Sequence, residues 1–134
     1  MIFADSSYFI ALSREKDRWH KDALELVPKI NEPMMISDPI VSESVTLVGS
    51  LEGGKAGKIL YEYFTDNCKI TFMDAEMLAK AVDTFLMYDG SISLADATSV
   101  EIMKKHRIKR ILSFDSDFDK IPEIDRIHQL WLLQ

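Results

Sequence analysis

Met1-Ile2-Phe3-Ala4-Asp5-Ser6-Ser7 places four apolar residues ahead of one carboxylate and two hydroxyls. Ile2 to Ala4 is too short and too apolar for an amphipathic helix and reads as a buried strand. Ser6 or Ser7 then reads as the cap of a helix running to about Ser13. The same grammar returns near the other end of the chain. Lys109 to Ser113 reads as a strand, and Phe114-Asp115-Ser116-Asp117-Phe118 follows it, with a short helical turn near Asp117 to Lys120. Two more carboxylates sit between these ends, in Ser42-Glu43 and in Leu94-Ala95-Asp96-Ala97, each near the start of an expected helix.

The intervening sequence alternates short apolar runs with longer helical patterns. A helix is expected from about Asp17 to Ile30, ended by Glu32-Pro33, and a strand over Met34 to Ser37. Asp38-Pro39 opens the next helix, since proline is tolerated in a first turn. Its apolar face would comprise Ile40, Val41, Val45, Leu47, Val48 and Leu51. Gly53-Gly54 breaks it, and Lys55 to Asp66 resumes as a helix. Cys68 to Phe72 is the third strand. Asp74 to about Tyr88 is helical, with Met77, Leu78, Ala81, Val82, Phe85 and Leu86 expected on its buried side. Asp89-Gly90 turns the chain, Ser93 to Lys105 forms another helix, and Arg126 to His128 a fifth strand. Short strands separated by helices predict a parallel α/β sheet, and the lack of repeats or linkers predicts one domain over residues 1–134.

Composition narrows the function classes. The 134 residues are 47% hydrophobic and 28% charged, the balance of an ordinary soluble protein. No apolar run approaches the roughly 20 residues needed to cross a bilayer. The first residues lack a basic leader, so a cytoplasmic location is the expectation. Cys68 stands alone, which excludes an internal disulfide and a cysteine-based zinc site. A net charge of −6 argues against coating nucleic acid by bulk attraction, though not against a nuclease. Positive charge is grouped, in Arg14, Lys16, Arg18 and Lys21 and again in Lys104, Lys105, Arg107, Lys109 and Arg110. Each group reads as a solvated helix surface first and a phosphate contact second.

Open parallel sheets bind ligands beyond the carboxyl ends of their strands, at a topological switch point. Asp5 follows the first strand and Asp115 and Asp117 follow the fourth, so they share a rim if those strands are neighbours. Asp96 and Glu43, in early helical turns, can point at the same rim. Two carboxylates about 4 Å apart repel by roughly 4 kcal/mol at an effective dielectric constant near 20. Convergence of four acids therefore calls for divalent cations or for protonation, unless the convergence itself is mistaken. One cation relieves several repulsions at once and is the preferred answer.

The order and spacing of Ile2-Phe3-Ala4-Asp5-Ser6-Ser7, Asp17-Arg18-Trp19-His20-Lys21-Asp22-Ala23, Ser42-Glu43, Ser93-Leu94-Ala95-Asp96-Ala97 and Ile111-Leu112-Ser113-Phe114-Asp115-Ser116-Asp117-Phe118 closely resemble the PIN-domain family. Within that family the resemblance is to VapC-type ribonuclease toxins, and it covers essentially the whole chain. It implies a three-layer α/β/α sandwich with a central parallel sheet of about five strands. The implied activity is a metal-dependent endoribonuclease that hydrolyses RNA by metal-activated water, leaving a 5′-phosphate and a 3′-hydroxyl. Asp5, Glu43, Asp96 and Asp115 are the implied catalytic acids. Asp5, Asp96 and Asp115 would hold Mg²⁺ or Mn²⁺, with Glu43 and Asp117 as further ligand candidates. Glu43 would orient or deprotonate the attacking water, and Ser6 and Ser113 would support the site. The chain departs from some relatives at Ser99, one turn after Asp96, where they carry another acid. A VapB-type antitoxin and a homodimer are implied as partners, and RNA as substrate.

Other readings stay open at this level. The chain could be a housekeeping RNA-processing PIN nuclease or a PIN module that only binds. An aspartyl-phosphate phosphatase or receiver-like protein would also end a strand on an aspartate, but Asp5-Ser6-Ser7 lacks the phosphatase's second aspartate two residues on. His20 and His106 are alternative general bases by chemical type only, and His128 reads as structural. Gly49 to Lys55 has phosphate-loop spacing but is followed by Ala56 rather than Ser or Thr, and it follows a helix rather than a strand. It reads as a helix break. Ile40, Val41, Ile59, Leu60 and Tyr63 read as core before interface, and Trp131-Leu132-Leu133 as an exposed contact.

Overall fold

The first strand, β1 (Ile2–Ala4), is completely buried, as its uniformly apolar sequence requires. In the computed structural model, which describes residues 1–133, it is the middle strand of a five-stranded sheet. The other strands are β2 (Met34–Ser37), β3 (Cys68–Thr71), β4 (Arg110–Leu112) and β5 (Asp125–Ile127), and the spatial order is β3-β2-β1-β4-β5. Every pairing is parallel. Helices α1 (Ser6–Ser13) and α2 (His20–Leu26) connect β1 to β2, and α3 (Asp38–Glu52) and α4 (Gly54–Asn67) connect β2 to β3. Helices α5 (Ala75–Met87) and α6 (Leu94–His106) carry the chain from β3 across to β4. The first two crossovers run toward one edge and the third runs back past the centre. Right-handed connections therefore put α1 to α4 on one face and α5 and α6 on the other. Packing agrees, since α1 contacts α2 and α3, α3 contacts α4, and α5 contacts α6.

Local chemistry sets the boundaries. Asp5, not Ser6 or Ser7, occupies the capping position of α1, and its carboxylate makes no capping bond to the helix. The helix expected from Asp17 starts later because Asp17 Oδ1 accepts the Trp19 amide at 2.8 Å and holds a turn there. It ends sooner because Pro28 tightens the chain into a 3-10 turn over Val27–Lys29. Gly49 to Glu52 are helical in α3 and α4 begins at Gly54, so only Gly53, at φ +100°, separates them and no phosphate-binding loop forms. Those two helices cross at Gly57, where an added Cβ would lie 3.0 Å from the Val45 carbonyl oxygen and 3.3 Å from Gly49 Cα.

The core runs through both sides of the sheet. Phe9 packs edge-on against Phe64 at 4.7 Å and against Tyr8 at 5.2 Å on one side, and Val100, Ile102 and Met103 of α6 are buried as well. The expected inner face of α5 is narrower than its sequence suggested. Met77, Ala81 and Thr84 are buried, whereas Leu78, Val82, Phe85 and Leu86 are exposed. This helix meets the rest of the molecule mainly through α6, so its broad apolar stripe is only partly covered. Ile40 and Leu60 are core, Ile59 is exposed, and Val41 and Tyr63 pack half-buried against the core. Trp131 is exposed, with Leu132 and Leu133 partly covered.

Asp74 caps α5 by accepting the Met77 amide at 2.8 Å. Asp74→Ala should cost about 1 kcal/mol, seen as a lower urea midpoint with an unchanged slope. An unchanged midpoint would show that water replaces the cap at no cost.

Candidate active site

Sheet order decides where the carboxylates go. β1 and β4 are neighbours, with Ala4 opposite Leu112, and the Asp5 amide donates to the Leu112 carbonyl at 3.0 Å. The crevice between them is the switch point of the sheet, since β2 and β3 extend to one side and β4 and β5 to the other. Asp5 leaves β1 at that crevice, and Ser113, Phe114 and Asp115 leave β4 beside it.

Helix α6 delivers the next acid. Ser93 caps it by accepting the Asp96 amide at 3.0 Å, so Asp96 lies in the first turn. That turn carries the positive end of the helix dipole, yet Asp96 is buried. Its carboxylate, with those of Asp115 and Asp117, offers a set of oxygens all within 4.8 Å of one another. Asp115 in turn accepts the Asp117 amide at 2.9 Å, which folds the loop so that both carboxylates face Asp96. Asp117 is thus a full member of this triad. Its Oδ1 also pairs with Lys120 at 3.0 Å.

Asp5 borders the triad. Its Oδ2 accepts two hydroxyl bonds, from Ser7 at 2.8 Å and from Ser113 at 2.9 Å. The Ser7 hydroxyl also accepts the Phe114 amide, and the Ser113 hydroxyl accepts the Asp115 amide. Two serines therefore fix Asp5 to the loop that carries Asp115. Ser113 stands where sequence placed a supporting hydroxyl. Ser7 was considered only as a helix cap, although Asp-Ser-Ser allowed the hydroxyl two residues on to reach back to the carboxylate. Ser6 is buried and faces Glu43 instead.

The electrostatics match a pocket of excess negative charge, which Lys120 offsets only at Asp117. Burial, followed by the charges of Asp5 and Asp115, pushes the Asp96 carboxyl up to about 7. Burial also raises Asp5 against the opposing pull of Ser7 and Ser113. Glu43 is raised by partial desolvation and then by the charge of Asp5, with the Ser6 hydroxyl pulling the other way. Glu43 and Asp96 thus each feel the charges of Asp5 and Asp115. A site that holds carboxylates above their usual range is one that a hard cation would relieve, and oxygen donors of this kind suit Mg²⁺ or Mn²⁺.

Among the described residues the histidines make no hydrogen bond to these acids. His20 Nδ1 donates to the Ala11 carbonyl at 2.7 Å. His106 ends α6, ten residues after Asp96 and therefore about 15 Å along the helix. His128 lies just past β5, and burial lowers it. Ser99 is buried. Basic residues are partly consumed in pairs: Arg14 with Glu52, Lys104 with Glu101, and Arg110 with Glu32.

Comparison with known proteins agrees with this geometry. The family model described as PIN domain matches residues 2–124. The chain is 28% identical over 120 residues to the 23S rRNA-specific endonuclease VapC20 of Mycobacterium tuberculosis, covering 88% of this chain and 92% of that protein. The crystal structure of M. tuberculosis VapC20, described as a sarcin-ricin loop cleaving toxin, superposes with a TM-score of 0.85 at 25% identity, covering 91% and 95% of the two chains. A toxin-antitoxin complex from Klebsiella pneumoniae shares the fold, with a TM-score of 0.73 at 15% identity over 97% of this chain and 100% of that one. With the match running from β1 through β4 and over every acid of the crevice, the chain belongs to the PIN-domain family and is a homologue of the VapC-type toxin endonucleases.

Proposed function

We propose that this protein is a divalent-metal-dependent endoribonuclease and the toxin of a toxin-antitoxin pair, with a hairpin loop of large-subunit ribosomal RNA as its substrate. The observation that carries the reading is the Asp96, Asp115 and Asp117 triad in the β1–β4 crevice. The substrate class follows the relatives, which act on 23S rRNA.

Asp96, Asp115 and Asp117 would hold the ion, and Asp5 would add charge behind them. Once bound, Mg²⁺ or Mn²⁺ supplies Lewis-acid activation of water and neutralisation of charge on the scissile phosphate. Glu43 takes the proton of the attacking water. Its position at the solvent side of the site and its raised basicity suit that task. Ser7 and Ser113 keep Asp5 from swinging toward the phosphate by holding Oδ2. The products are a 5′-phosphate and a 3′-hydroxyl.

An apolar groove lined by Leu12, Val48, Ala56, Ile59, Leu60 and Tyr63 supports docking of an antitoxin segment, in keeping with the antitoxin-bound relative. The uncovered side of α5, with Leu78, Val82 and Leu86, supports a homodimer.

The test is cleavage of purified ribosomal RNA by the purified protein. Mn²⁺ or Mg²⁺ should give one dominant cut, mapped by primer extension, and EDTA should abolish it. Equal cutting in EDTA, or a ladder of cuts at every unpaired nucleotide, would refute the metal or the substrate assignment respectively.

A further inference from the structure

Beside the acids stands an aromatic stack that the proposed chemistry does not use. The Trp19 indole lies parallel to the Phe114 ring, with centroids 5.5 Å apart and an interplanar angle of 3°. The Arg18 guanidinium carbon sits 4.4 Å from the Trp19 ring centroid. Arg18 is exposed, and among the described residues it makes no ion pair. Phe114 immediately precedes Asp115, about 3.8 Å away from Cα to Cα. Its amide is held by the Ser7 hydroxyl that also holds Asp5. One hydroxyl therefore ties the stack to the catalytic carboxylates.

We infer that the Arg18–Trp19–Phe114 stack is a nucleobase platform that receives an unpaired base of the RNA next to the scissile phosphate. The inference rests on the endoribonuclease reading and adds the part that positions substrate. Proteins that bind unpaired RNA splay bases onto aromatic rings and guanidinium planes, because every base has a π-face. This chain has particular need of that contact. Its net charge is −6, and the acids at the crevice repel phosphate, so backbone attraction alone cannot supply much affinity. Stacking does not depend on net charge. Arg18, together with Lys16 and Lys21 in the same stretch, then offsets the local repulsion where the strand approaches.

Both rings pack partly buried against the core, which leaves part of each uncovered; a purely structural role for the stack itself would be to pin the turn before α2. That turn is already pinned twice, by Asp17 accepting the Trp19 amide and by His20 donating to Ala11. Neither bond involves the indole ring. An uncommitted guanidinium over an aromatic face is, moreover, a surface onto which a further planar group can be added.

Two measurements test the platform. In cleavage assays on a hairpin oligoribonucleotide of the ribosomal loop, Trp19→Leu should raise KM about tenfold with little change in kcat, within the range for losing one base–aromatic stack. Trp19→Phe, which keeps a ring, should restore most of the loss, and Arg18→Ala should raise KM severalfold. Leucine preserves apolar packing, so equal KM for the Leu, Phe and wild-type proteins overturns the inference while leaving the nuclease reading intact. Binding is read separately from cleavage by fluorescence in Asp96→Asn/Trp131→Phe protein, where Trp19 is the sole tryptophan. Quenching by the hairpin should disappear when the nucleotide adjoining the scissile phosphate is abasic and persist when distant loop positions are. Quenching indifferent to every abasic position also overturns it. Wild-type protein that fails to cut ribosomal RNA yet shows position-specific quenching would instead place the fault in the substrate or cleavage reading.

Discussion

Asp96→Asn should lower RNA cleavage by at least about 10³-fold and, in the same protein, raise the thermal midpoint of the metal-free form at pH 8. The first effect follows from deleting one of three charges in the triad, since neutral amide oxygen binds a hard cation far less well than carboxylate. The second follows from linkage. The folded protein keeps the Asp96 proton up to about pH 7, whereas an unperturbed aspartate carboxyl releases it near 3.8. Between those values the native state binds more protons than the unfolded chain, so stability falls as pH rises through the window. The contribution is fully present below about pH 4 and lost above about pH 7. Asparagine is nearly isosteric and carries no charge to desolvate, so that loss is absent in the variant. The wild type in EDTA should therefore lose several degrees of melting temperature between pH 5 and pH 8, and the variant much less. Mn²⁺ at pH 8 should restore the wild type and barely move the variant. Parallel pH profiles for the two proteins would sink the assignment of buried charge to Asp96, and equal cleavage would sink its place in the mechanism.

Ser113→Ala should act at two sites through one oxygen. Ser113 Oγ donates to Asp5 and accepts the Asp115 amide, and Ser113 itself is fully buried. Removing the hydroxyl leaves a carboxylate oxygen with one donor fewer and a loop amide without its acceptor. A cost of roughly 1–3 kcal/mol is expected for a buried network broken in this way. Metal affinity should fall about 10- to 100-fold, the usual consequence of losing a group that orients ligands. Isothermal titration with Mn²⁺ separates the two effects, because affinity is read on protein that is still folded. Wild-type affinity with reduced stability would confine Ser113 to a structural role.

Much of this was legible in the residues. Ile2 to Ala4 and Lys109 to Ser113 announced strands by composition, and the acids that followed announced a rim. That the two strands are neighbours could not be read, because pairing depends on which crossover returns past the centre of the sheet. The place of Asp117 was hidden for a related reason. Its carboxylate reaches Asp96 only through the bond between its amide and Asp115, a turn no periodicity encodes. Helix faces were less faithful. The stripe Leu78, Val82, Phe85 and Leu86 looked like core, and the chain alone leaves it bare. Hydrophobic periodicity reports that a surface is to be covered without saying by what. Trp19 escaped functional notice because an aromatic beside a helix start resembles ordinary packing until its partner, 95 positions away, is placed against it.

The adjacency of β1 and β4 has a consequence for how the protein comes into being. Asp5 is held by a hydroxyl 108 positions later in a chain of 134 residues. During synthesis the first strand, the serines after it and Glu43 emerge early, with nothing to oppose them. The acids cannot meet until the fourth strand has left the ribosome and slid in beside the first. The ordering makes convergence of the acids a late event in folding, because a carboxylate placed by the first strand waits for a loop placed by the fourth.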